Sequence, residues 1–92
     1  MNGRSPTDPI VLGLAALAAT LEDSKRAQRL LDLTGIGTHD LRTRASEPAL
    51  LAAVIAFLEA HEPDLLAVSA ALGVSADRLV ETRRALQDQG QV

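Results

Sequence analysis

Cysteine, tryptophan and tyrosine are absent from this sequence, and phenylalanine occurs once, as Phe57. Without cysteine the chain can form neither a disulfide framework nor a thiolate metal site. No run of apolar residues and glycine exceeds ten residues, the length of the run from Ile10 to Ala19, whereas a helix that spans a bilayer needs about 20. The sequence therefore predicts neither a disulfide-stapled domain nor a transmembrane protein.

Positive charge is also scarce. Nine Lys and Arg residues face twelve Asp and Glu residues, which gives a formal net charge of −3. Proteins that bind nucleic acid through its phosphates need a concentrated basic surface. The composition therefore argues against nucleic acid as a general partner.

Leucine and alanine are abundant, with sixteen residues of each among the 92. Both are strong helix formers, and no stretch alternates with the period of two that marks a strand. A chain of this length can bury one core. We therefore predict an all-α fold, a compact orthogonal bundle of five to six short helices. The predicted organisation is a flexible N-terminal tail (1–7), a single helical domain (8–88) and a frayed C-terminus (89–92).

A secretory signal is an alternative for the N-terminal region. Arg4 precedes the apolar stretch, and Ala16-Leu17-Ala18 resembles a cleavage site. However, Asp8-Pro9 is typical of a helix start, with an N-cap residue followed by proline in the first turn. We favour a core helix here, and with it a cytoplasmic protein.

Apolar periodicity, capping residues and breaks predict six helices. They run from Asp8 to about Thr20, Lys25 to Thr34, His39 to about Ala45, Pro48 to His61, Pro63 to Leu72, and from a Ser75 cap to about Gln87. The fourth, about residues 48–61, is apolar on most of its circumference and is predicted to be the central helix.

Several details within these helices are specific enough to test. The first helix is predicted to bury Ile10, Leu14, Leu17 and Leu21, and the fifth to bury Leu65, Leu66, Val68 and Leu72. Gly35 and Gly73 are each expected to end a helix in a left-handed Schellman turn. Thr38 is expected to cap the third helix.

The sequence offers no catalytic constellation. His39 and His61 lack the i, i+4 histidine partner of a helical zinc site. Glu59, Glu62 and Asp64 cluster at a helix junction, where helix-end capping explains them. We expect no enzyme activity, no cofactor and no metal.

Residues 65–84 are similar to a DNA-binding helix-turn-helix. Ser69, Val74 and Leu79 meet its packing requirements, and Arg78, Arg83 and Arg84 would then contact DNA. Against this, Asp77 and Glu81 lie on the part of the second helix that would face the DNA. An ordinary corner between two helices is the favoured interpretation.

Three runs together resemble a known family: Arg29 to Ile36, Asp40-Leu41-Arg42, and Glu47 to Val54. The resemblance is to the bacterial domain of unknown function 3572, found mainly in alphaproteobacteria, and it extends over about residues 10–88. It implies a compact cytoplasmic helical domain and carries no activity, cofactor or catalytic residue.

The leading functional hypothesis is a non-enzymatic protein-protein interaction or adaptor module, because apolar positions exceed what a small core needs. Its partner would be another protein or a second copy of the chain. The predicted polar rim of the binding surface is Arg42, Arg44, Arg83 and Arg84. The alternative is a helix-turn-helix DNA-binding protein that uses residues 65–84.

Overall fold

A computed structural model describes residues 8–90, which form six helices and no strand. The helices are α1 (Pro9–Leu21), α2 (Ser24–Thr34), α3 (Thr38–Thr43), α4 (Pro48–Glu59), α5 (Glu62–Leu72) and α6 (Ala76–Gly90). The predicted all-α bundle is thus confirmed. The predicted tail (1–7) and the last two residues (91–92) lie outside the described part of the chain.

Side-chain caps fix the starts of three helices. The Asp8 carboxylate accepts from the backbone N–H of Ile10 at 2.8 Å, and Pro9 occupies the first turn. Asp23 accepts from two N–H groups of α2, and the hydroxyl of Ser75 accepts from Arg78 N–H at 3.0 Å. Each cap satisfies N–H groups that have no partner within the helix.

The two glycine endings differ from each other. Gly35 and Gly73 both have positive φ, 72° and 70°. After Gly73 the N–H of Val74 donates to Ser69 C=O, which is the predicted Schellman turn. At Gly35 the glycine itself donates to Leu31 C=O, and Ile36 N–H donates to the hydroxyl of Thr34. The Schellman prediction was therefore wrong at Gly35, because the Thr34 hydroxyl takes the N–H that the motif would use.

Three predicted helix ends were also wrong. Thr38 is the first residue of α3 rather than its cap; Gly37 is the cap and makes no side-chain bond. α4 ends at Glu59 because His61 is extended and begins the approach to α5. α6 continues to Gly90, three residues beyond the predicted end near Gln87.

α4 is the centre of the bundle, as predicted. It packs against α1, α2, α5 and α6. Six large apolar side chains of this helix are buried: Leu50, Leu51, Val54, Ile55, Phe57 and Leu58. Burial on several sides explains why so few polar residues interrupt the sequence of this helix.

Gly13 allows α1 to approach the other helices closely. A Cβ atom at this position would lie 3.1 Å from Leu51 Cβ and 3.2 Å from Leu86 Cδ1. Leu51 belongs to α4 and Leu86 to α6, so this glycine marks the point where three helices meet. The helix tolerates the flexible residue because any side chain there would separate them.

The predicted buried faces of α1 and α5 were partly wrong. Leu14 and Leu21 are 36% and 40% exposed, and Leu66 is 51% exposed. α1 instead turns a face inward that includes Leu12, Gly13 and Ala16. Neither α1 nor the stretch from Leu65 to Leu72 contains a charged residue, so apolar periodicity alone did not fix which face is buried.

Candidate functional site

The four arginines of the predicted rim do not form one patch. Arg44 is bound to Glu47, just before α4 begins, whereas Arg83 is bound to Glu59 at the end of α4. A helix rises 1.5 Å per residue, so the two pairs are separated by about 18 Å along α4. Arg42 and Arg84 are exposed and lie near Arg44 and Arg83 in the chain, so the set divides into two groups.

Arg83 joins α6 to α4 through an ion pair. Its guanidinium donates two hydrogen bonds to the Glu59 carboxylate and a third, at 3.0 Å, to Gln87 Oε1. The bonds to Glu59 raise the pKa of Arg83 above its ordinary value. Because these contacts use the guanidinium within the protein, Arg83 is less available to a partner than the sequence alone suggested.

Arg44 makes a local pair on the surface. Its guanidinium donates three hydrogen bonds of 2.9 to 3.1 Å to Glu47, three residues further along the chain. These bonds raise the pKa of Arg44 and lower that of Glu47. Both side chains are about half exposed, and such pairs contribute little to stability.

A second ion pair between helices, which the sequence analysis missed, joins α2 to α5. The buried carboxylate of Asp64 lies 2.5 Å from a guanidinium nitrogen of Arg29 and 3.1 Å from His61 Nδ1. Burial by itself would raise the pKa of Asp64, but the hydrogen bonds from Arg29 and His61 outweigh it and hold the pKa below its ordinary value. Asp64 lies in the first turn of α5, as the prediction of a helix-end carboxylate requires, and it also pairs with the distant Arg29. Glu59, at the last residue of α4, pairs with Arg83 instead of capping a helix.

The α5–α6 corner has the local features expected of a helix-turn-helix. Ser69 and Leu79 are buried, and Val74 packs against the core. The exposed charged residues of α6 are Asp77, Glu81, Arg84 and Asp88. Three of these four are acidic, so the surface that would approach a phosphate backbone carries the wrong sign of charge.

The exposed face of α1 is entirely uncharged. Its outward positions are occupied by Val11, Leu14, Ala15, Ala18 and Leu21, of which Val11 and Ala15 are partly covered. Leu14, Ala18 and Leu21 follow the i, i+4, i+7 spacing of one helix face. Below, this set of five residues is called the α1 stripe.

α5 presents a similar face. Leu66, Ala67, Ala70 and Ala71 are exposed, and no charged residue lies between Leu65 and Ala76. We call these four residues the α5 stripe. α1 and α5 pack directly against each other, so two neighbouring helices each expose apolar side chains. In the sequence, both stripes could have been found from the lack of charged residues in α1 and in most of α5.

An open groove lies along α4. Its volume is about 520 Å³, and it is lined by four alanines of α4 together with Gln87 and Gly90 of α6. The alanines are Ala49, Ala52, Ala53 and Ala56. No titratable side chain lines this groove, and within residues 8–90 no three His, Asp or Glu side chains gather as metal ligands.

Comparison with known families identifies the chain. The model of the family described as "Protein of unknown function (DUF3572)" matches residues 6–89. The chain belongs to this family. The resemblance seen in the sequence is thus confirmed, and the six-helix bundle described above is the fold of a DUF3572 member. No curated protein and no solved structure matches the chain.

None of the helices in residues 8–90 combines the length and the apolar character needed to cross a membrane. The longest is α6, with 15 residues.

Proposed function

We propose that this DUF3572 member is a non-enzymatic module that binds another protein through the apolar stripes of α1 and α5. The observation that carries the proposal is the exposure of Leu14, Leu21 and Leu66 on two packed helices that carry no charged residue over Pro9–Leu21 and from Leu65 to Leu72. Exposed apolar residues that stand singly are normal on a protein surface, whereas grouped ones mark interaction sites.

Leu33 provides the contrast within the same molecule. It is the most exposed large apolar residue described, at 75%, but it lies on α2 beside Asp32 and follows Arg29 and Gln28. Its surroundings are those of a solvated helix. Exposure of a leucine alone therefore does not distinguish the stripes. The stripe leucines are grouped with other exposed apolar residues on α1 and α5, although Glu22 follows Leu21 and Glu62 lies one turn before Leu66.

The size of the stripes favours a separate partner over a permanent homodimer. α1 is about 20 Å long and a helix is about 10 Å wide, so one stripe offers on the order of 200 Å². A stable interface buries about 800 Å² on each partner. We therefore expect a transient complex with a protein that presents a complementary apolar surface, for example the apolar face of a helix.

The absence of enzyme activity is part of the same proposal. The ionisable groups that come together, Asp64 with Arg29 and Glu59 with Arg83, are oppositely charged pairs that join helices. A general acid or base needs a side chain in a pocket with access to a substrate, and neither pair lines the groove on α4.

The test is affinity capture from a lysate of the source cells with three tagged proteins: the wild type, Leu66→Glu and Leu33→Glu. Both substitutions place a charge at an exposed position, so both variants are expected to melt within a few degrees of the wild type. We expect a protein captured by the wild type and by Leu33→Glu to be lost with Leu66→Glu.

Two results would contradict the proposal. Equal capture by all three proteins would show that the α5 stripe does not contact the partner. If the wild type sediments as a dimer and Leu66→Glu sediments as a monomer, the α5 stripe mediates self-association instead.

DNA binding by the α5–α6 corner is the second candidate, supported by the buried Ser69, the packed Val74 and the Schellman turn. It predicts capture that disappears after nuclease treatment, and a salt-sensitive mobility shift that weakens in Arg78→Ala. No mobility shift at low salt would eliminate it.

A further inference from the structure

α3 is attached to the bundle differently from the other described helices. It makes no extended contact with any of them. Only Leu41 of its six residues is buried, and the flanking Ile36 and Ala45 are partly buried against the core. A few apolar contacts therefore hold this segment in place. α2 also buries only one residue, Leu30, but it packs against both α1 and α4.

The described hydrogen bonds and ion pairs that join one helix to another also do not involve α3. Arg26 of α2 donates to the carbonyl oxygens of Ala19 and Thr20 near the end of α1. The pairs Arg29–Asp64 and Arg83–Glu59 join α2 to α5 and α6 to α4. By contrast, the hydrogen bonds described for residues 36–46 join partners at most four positions apart.

The described bonds that opening would break lie at the ends of the segment: Gly35 N–H to Leu31 C=O, Ile36 N–H to the Thr34 hydroxyl, and Leu51 N–H to Glu47 C=O. A helix of six residues is too short to keep its own hydrogen bonds once it leaves the bundle, so its amides exchange on opening.

The chain has conformational freedom where this segment begins. Gly35 has positive φ, and Gly37 is the cap of α3 and makes no side-chain bond there. No atom lies within 4 Å of the Cβ position of either glycine. A cleft of about 180 Å³ already separates α3 from the start of α4, lined in part by Asp40, Arg44 and Leu50.

We propose that residues 35–47 form a flap that opens from the bundle while α1, α2, α4, α5 and α6 stay packed. In the open state Leu41 leaves the core, and Leu50 at the start of α4 loses its cover from this side. Regions with few buried apolar contacts open at a free energy below that of global unfolding. This conformational device is independent of the proposed binding by the stripes.

Native-state hydrogen exchange at several low urea concentrations tests the flap. The reporters are the N–H groups of Leu41 and Arg44, which donate to Gly37 and Asp40, and the N–H groups of Val54 and Ile55 within α4. We expect the α3 amides to be at least about 100-fold less protected than those of α4, with little dependence on urea. Equal protection and an equal urea dependence in both helices would overturn the proposal.

Two variants separate opening of the flap from global unfolding. Leu41→Ala should raise exchange by at least about tenfold in α3 and by the same factor in the α4 amides that exchange through global unfolding, because Leu41 has left the core in both the open and the unfolded states. Ile55→Val, a small deletion at a fully buried site, should raise exchange in α4 by roughly two- to tenfold and leave α3 unchanged. If Ile55→Val raises exchange in both helices to the same extent, α3 unfolds together with the bundle and the flap does not exist. If Leu41→Ala leaves exchange in α3 unchanged, Leu41 does not leave the core when α3 opens, and the proposal is overturned as well.

Discussion

Substitution of Gly13 by valine tests the packing at the centre of the fold. A single Cβ at this position would already lie 3.1 Å from Leu51 Cβ, which is fixed to the backbone of α4. The other close atoms, Cδ1 of Leu51 and of Leu86, are ends of side chains that can rotate away. Valine adds two further methyl groups, so the helices themselves must separate.

The expected loss follows from these contacts. Replacing glycine gains up to about 1 kcal/mol in helix propensity, less for valine than for alanine. Overpacking a well-filled core costs about 1–3 kcal/mol for small insertions and more where backbones must move. We expect Gly13→Val to lose about 3 kcal/mol, which lowers the melting temperature by roughly 12–24 °C in a domain of this size. Gly13→Ala should lose about 0–2 kcal/mol, because its gain and its cost nearly offset each other.

Thermal unfolding followed by circular dichroism measures these changes, with Ala18→Val as the matched control. Ala18 lies on the exposed side of the same helix, so the control adds the same two methyl groups where there is open space. It should change stability by about 0.5 kcal/mol or less. If Gly13→Val and Ala18→Val melt at the same temperature, α1 does not approach α4 and α6 at Gly13 as described.

Three further predictions concern stability. Leu58→Ala removes a fully buried side chain and should cost about 2–5 kcal/mol in urea unfolding; a wild-type midpoint would mean that α4 is not central. Gly35→Val forces a β-branched residue to φ 72° and should cost about 1–2 kcal/mol or more, whereas Gly37→Ala, at negative φ, should cost less. The pKa of Asp64 is lower in the folded protein than its ordinary value, so its ion pair stabilises the protein above about pH 4 and the stability is lost as the pH falls through the folded-state pKa. The difference between wild type and Asp64→Asn should therefore shrink between pH 7 and pH 3, and a constant difference would show that Asp64 does not titrate in this way.

Local features of the fold followed from the sequence because they depend on neighbouring residues. The caps at Asp8 and Ser75, the left-handed glycines and the central position of α4 all rest on short-range chemistry or on unbroken apolar character. The family resemblance was carried by runs of residues in the same way. Errors at helix ends were of one to three residues. At the end of α4, for example, the extended residue His61 decides the boundary.

Features that depend on distant residues were not predictable. The buried face of α1 was assigned correctly at Ile10 and Leu17 and wrongly at Leu14 and Leu21. The helix has no charged residue to mark its outer face, and the close approach at Gly13 depends on residues of α4 and α6. Asp64 and Arg29 are 35 positions apart, so no local spacing reveals their ion pair. The four arginines were grouped by charge alone, and the length of α4 separates them.

The most direct test of binding by the α1 and α5 stripes is the affinity of the captured partner at 50 mM and at 500 mM salt. Contact through an uncharged apolar surface predicts a dissociation constant that changes by no more than about twofold, since salt screens charges and leaves apolar contacts in place. Titration calorimetry of the same complex should show a negative heat-capacity change. The assignment would be contradicted if the affinity fell tenfold or more at the higher salt concentration and if Arg42→Ala or Arg84→Ala abolished this salt dependence. The binding surface would then be the one formed by the arginines.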